Sequence, residues 1–109
     1  MQLTTIQGGE GLVRQGAGAA ELLGKCLASY AAGSTGALYD LAVAFSTGSH
    51  GVECDLVEAH KWFNIAAAEG HAEAAWCRAD IAEEMTAREI AEAQRRAREW
   101  LAAKARRAA

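Results

Sequence analysis

The feature that most constrains this chain is a recurrence. Ala59-x-x-Trp62 returns as Ala97-x-x-Trp100, 38 residues on (97−59). Gly33, Ala37 and Ala42 return as Gly70, Ala74 and Ala79 at an offset of 37 (70−33), and at the same offset the aromatic Tyr39 is answered by Trp76. The offset changes by one residue between the two halves of the unit, as expected when an intervening loop changes length. Repeats in this size range are helical hairpins that stack side by side, because a single hairpin cannot bury its own apolar face.

Residues 33–70 hold one complete unit. Leu38, Leu41, Ala42 and Phe45 fall at i, i+3, i+4 and i+7, one face of an α-helix. Gly48 can end that helix in the left-handed conformation that closes a helix C-terminus. Asp55 and Glu58 then form a D-x-x-E start signal. The Asp carboxylate can accept from amides of the first turn while Glu58 reaches back, and both charges suit the positive end of the helix dipole. The second helix therefore starts near Leu56. Ala59, Trp62, Phe63, Ala66 and Ala67 form its apolar stripe, and Gly70 stops it.

These residues resemble the Sel-one-like repeat family, a relative of the tetratricopeptide repeats. The resemblance rests on Ala37, Tyr39, Leu41 and Ala42 in the first helix, on Gly51, Val52 and Asp55 in the loop, and on Ala59, Trp62, Phe63, Ala66, Ala67 and Gly70 in the second helix. It is specific over one repeat, roughly a third of the chain, and thins beyond. Leu41 is answered by Arg78 and Phe45 by Ala82, and the G-V-x-x-D loop does not return. The resemblance implies an all-α fold, a right-handed α-α superhelix of stacked antiparallel hairpins, and a role in binding proteins. The regular cysteine pair of some secreted members is missing here.

Around the intact unit the chain divides into a glycine-rich leader, 1–18, and a single helical domain, 19–109. In the leader a helical turn is expected around Leu12 and Val13. Leu22, Leu23, Cys26, Leu27 and Tyr30 give 19–32 a helical stripe that covers one flank of the repeat. From 71 to 109 a degenerate repeat runs into a closing helix. Thr86 and Glu89 form a T-x-x-E capping box that opens this last helix, with Ile90, Ala93, Ala97, Trp100 and Leu101 on its apolar side. Its other side is basic, with Arg88, Arg95, Arg96, Arg98, Lys104, Arg106 and Arg107 against Glu89, Glu92 and Glu99. The net charge of −3 therefore hides an acidic middle and a basic end.

With 109 residues the chain supports one modest core, much of it alanine, and the absence of proline suits long helices broken by glycine. No apolar run approaches the roughly 20 residues that span a bilayer. Met1 to Gln15 lacks the basic start and apolar stretch of a secretory signal, so a cytoplasmic location is expected. Three cysteines, Cys26, Cys54 and Cys77, are an odd number without C-x-x-C spacing, which argues against a disulfide framework.

No chemical motif survives inspection. Five residues lie between Gly18 and Gly24-Lys25 where a phosphate loop needs four, and Cys26 replaces its Ser or Thr; Gly16-x-Gly18 meets Glu21 where a dinucleotide loop needs its third small residue. His50, Cys54, His60 and His71 fit no compact zinc pattern and read as surface or boundary residues. Cys54 with a histidine lacks an orienting third group and oxyanion donors. No catalytic residue, cofactor or metal site is assigned.

The expected function is non-enzymatic: a protein or peptide partner held in a groove of the first helices. Tyr39, Val43, Thr47, Trp76, Asp80 and Glu83 lie off the core stripe and line that groove, the apolar residues as contacts and the acids selecting a basic or amide-rich segment. The competing reading for the two aromatics is plain packing between hairpins. A nucleic-acid role for the basic helix is the alternative, set against a solvated face with Glu–Arg pairs. A stack this short is also expected to self-associate or to gain stability from a partner, with no part in a membrane.

Overall fold

The computed structural model describes residues 18–108, which form five α-helices. Helix α1 covers 18–31, α2 Ala37–Thr47, α3 Leu56–Ala68, α4 Ala72–Ala82 and α5 Ala87–Ala108. The leader and its expected turn at Leu12 and Val13 lie outside the described residues, apart from Gly18, which is already helical. No helix among the described residues is long and apolar enough to cross a membrane.

The local signals act largely as their chemistry requires. Gly48 takes φ 73° and closes α2 through its amide to the Ala44 carbonyl. The Asp55 carboxylate accepts from the Glu58 amide at 3.1 Å. Glu58 does not reach back, because the Asp55 amide is already bonded to the Phe45 carbonyl at 2.9 Å. At α5 the capping box is reciprocal: Thr86 Oγ1 accepts from the Glu89 amide at 3.1 Å and Glu89 Oε1 from the Thr86 amide at 2.8 Å. Gly18 has a different role. A Cβ placed there would stand 2.7 Å from the Gly51 carbonyl oxygen, so α1 can approach the α2–α3 loop only with glycine at this point.

Helix α3 is the centre of the domain, with α2, α4 and α5 packed against it. Ala59, Trp62, Phe63 and Ala66 are buried as their spacing predicts, and Ile65 and His60 are buried as well, so the helix is enclosed over most of its circumference. Leu38, Leu41, Ala42 and Phe45 of α2 meet it on one side. Cys26 of α1 and the loop residue Val52 complete the core.

Helix α5 runs parallel to α3 in the register of the repeat. Arg96 pairs with Glu58 at 2.7 Å, and Trp100 meets Trp62 edge-on with centroids 5.6 Å apart, each pair separated by 38 residues. Glu58 also accepts from the Trp62 indole N–H at 3.2 Å, which satisfies the polar atom of the largest buried side chain. Arg96, expected on the open basic face, is instead half-buried, because its long stem reaches from α5 to Glu58 on α3. Further along, Lys104 bonds Glu69 at 2.8 Å and holds the Glu69 carboxyl below its usual range. The same lysine lies over the Tyr30 ring, and Tyr30 contacts Trp100 at 5.9 Å, so α1 and α5 touch. Residues 18–108 thus form an all-helical, compact five-helix domain.

His60, which the sequence reads as a surface or boundary residue, is only 3% exposed, because it sits on the flank of α3 that α4 covers. Its Nδ1 has no hydrogen-bond partner among the described residues, and burial, with the nearby Arg78 guanidinium adding to it, lowers its pKa below the ordinary 6.5. A histidine that is less basic when folded takes its proton preferentially in the unfolded chain. His60 therefore costs no stability above pH 6.5 and progressively more as pH falls below it, before the carboxylates begin to titrate. Urea unfolding at pH 7.5 and 5 should show a loss on acidification that shrinks in His60→Leu; an identical loss in the variant would contradict this assignment.

Candidate protein-binding face

The sequence places Tyr39, Val43, Thr47, Trp76, Asp80 and Glu83 on one face, and the two helices that carry them are α2 and α4. Tyr39 is half-buried and belongs to the joint between those helices. Its ring stacks on His71 with centroids 4.4 Å apart and planes 9° from parallel, and it also meets Phe63 at 5.7 Å. Its hydroxyl lies 3.6 Å from Cys77 Sγ, and that contact, with burial behind it, pushes the phenol up to about 12. Val43 is also half-buried. Thr47 is exposed, and its hydroxyl donates to the Val43 carbonyl at 2.9 Å.

Trp76 is different. It is 76% exposed, the one exposed large hydrophobic side chain among the described residues. Its place follows from helical geometry: Ala74 is fully buried against the core, and a residue two positions on lies about 200° round the helix. Asp80 and Glu83 are exposed on the same side, and so is Glu73, which the sequence reading missed. Its signal was present, since Glu73, Trp76 and Asp80 follow the i, i+3, i+7 spacing of a single helix face. Ala72 and Ala79 complete an outward stripe of an indole, small residues and three carboxylates.

This face is open because the second hairpin is weakly closed. Leu38, Ala42 and Phe45 of α2 are buried, whereas their counterparts Ala75, Ala79 and Ala82 of α4 are half-buried or exposed. Alanine offers little area to bury. Arg78, standing where α2 has Leu41, points its guanidinium to Asn64 Oδ1 at 2.7 Å. Helix α4 is therefore held by α3 and leaves its far side to solvent.

The basic side of α5 is largely self-satisfied at its centre. Arg95 binds Glu92 and Glu99, each at 2.6 Å, and Arg96 binds Glu92 at 2.7 Å as well as Glu58. The Glu92 carboxyl is held down to about 2, mainly by Arg95. Arg88, Arg98, Arg106 and Arg107 are exposed and make no ion pair among the described residues.

The residues weighed for chemistry are dispersed. The Cys54 thiol donates to the Ser46 carbonyl at 3.5 Å, His50 Nδ1 is 3.1 Å from Ser49 Oγ, and His71 is stacked on Tyr39. No three His, Cys, Asp or Glu side chains gather closely enough to hold a metal among the described residues. The chain matches no protein-family model, and no curated protein or solved structure is significantly similar to it.

Proposed function

We propose that this domain is a non-enzymatic protein-interaction module of the cytoplasm that holds a basic partner segment against the outward face of α4, with Val43 and Thr47 of α2 at its border and Tyr39 bracing the joint. One observation carries the reading: an indole left 76% in solvent at the middle of a stripe of three carboxylates. An exposed aromatic of this size costs solubility, and such residues serve as anchors when a partner covers them. The carboxylates favour Lys- or Arg-bearing segments and repel acidic ones.

The same reading takes the two hairpins as successive Sel-one-like, tetratricopeptide-type units at the start of a right-handed superhelix. Its support is the parallel, 38-residue register of α3 and α5. In this reading the α1–α5 contact at Tyr30 and Trp100 covers one flank of the complete unit.

Fluorescence anisotropy with labelled peptides tests the binding role. An arginine-rich peptide should bind, weaken as salt is raised, and be lost in Glu73→Lys/Asp80→Lys/Glu83→Lys. Binding of a length-matched glutamate-rich peptide or of duplex RNA in its place would overturn the proposal.

A further inference from the structure

We infer that the outward face of α4 docks onto the arginine-rich end of α5 from a second copy of this chain. The inference rests on the reading of α4 as a binding face and names its occupant. On α4 the exposed charges are all acidic, because the helix's single guanidinium, Arg78, is turned inward to Asn64. On α5 the carboxylates stop at Glu99; Arg98 and, two turns on, Arg106 stand exposed on one side of the helix, and Arg107 stands exposed at its end, about 100° round from Arg106.

Small residues accompany both stripes. Ala72 and Ala79 flank Trp76, and Ala102 and Ala105 lie exposed between Arg98 and Arg106. Two such faces let the helices approach closely, with Trp76 as the projecting side chain and a guanidinium able to lie over its ring. Within one copy the two cannot meet. Trp100 on Trp62 and Lys104 on Glu69 fix this end of α5 along α3, whereas Trp76 points away from the core. Each copy offers both halves in equal number, and the division of charge favours only the acidic-to-basic encounter.

Sedimentation from micromolar to submillimolar concentration, at low and high salt, tests this with two folded triple variants checked by circular dichroism. Glu73→Arg/Asp80→Arg/Glu83→Arg makes both faces basic, and Arg98→Glu/Arg106→Glu/Arg107→Glu makes both acidic. The wild type should associate and dissociate with salt; each variant alone should stay monomeric; a mixture of the two should associate again. Trp76→Ala should weaken wild-type association about tenfold or more. A mixture no tighter than its separate components overturns the inference. A wild type that stays monomeric yet binds an arginine-rich peptide through Trp76 overturns self-docking alone, and failure of both removes the binding-face reading as well.

Discussion

Trp62→Ala removes most of the stability of the domain, whereas Trp76→Ala leaves it within about 0.5 kcal/mol of wild type. Both residues are tryptophans on helices of the same domain, so a common chemistry meets two environments. Trp62 is 2% exposed, lies edge-on to Trp100, is covered by the Lys61 ammonium 4.4 Å from the ring centroid, and donates its indole N–H to Glu58. Truncating it empties the seam between α3 and α5 and costs about 3–5 kcal/mol, a sum comparable to everything a core of this size contributes. Trp76 has little protein around it to lose. Urea unfolding of the two variants measures the difference, and equal losses would mean that Trp76 is packed.

Gly70→Val should cost about 1–3 kcal/mol although a Cβ at this position meets no described neighbour. Gly70 holds φ +102° between α3 and α4, and no described residue lies within 4 Å of a Cβ built on it. The penalty is therefore conformational, since a β-branched residue is strongly disfavoured at that φ. Gly24 makes the control. It lies within α1 with no described residue within 4 Å of a Cβ built on it and no positive φ, so Gly24→Ala should stabilise by about 0.4–1 kcal/mol. Thermal unfolding of the pair should give shifts of opposite sign; two shifts of the same sign would contradict the assignment of Gly70 as the closing residue of the hairpin.

The elements were legible in the sequence wherever a local rule governs them. The α2 stripe, the Asp55 cap, the capping box at Thr86 and the glycine stops all depend on residues a few positions apart. What was not legible depends on neighbours distant in the chain. Ile65 and His60 lie off the apolar stripe of α3 and are buried only because that helix is covered on three sides. Arg96 looked like a surface charge until Glu58, 38 residues away, was placed beside it. Gly18 read as part of a loose leader, and its purpose depends on the approach of Gly51. At the candidate face the helical spacing put Trp76, Asp80 and Glu83 on one side of α4, and all three are exposed. It could not separate Tyr39, spent on His71 and Cys77, from Trp76, left in water.

The central claim is that Trp76 is the anchor of a binding face, and three indole N–H resonances report on it directly. In a dilute, nitrogen-15-labelled sample titrated with an arginine-rich peptide, the Trp76 indole and the amides of Glu73, Asp80 and Glu83 should shift together. The Trp62 indole, held by Glu58, and that of Trp100 should stay in place. Shifts confined to other helices, or an unmoved Trp76 resonance at saturating peptide, would contradict the account.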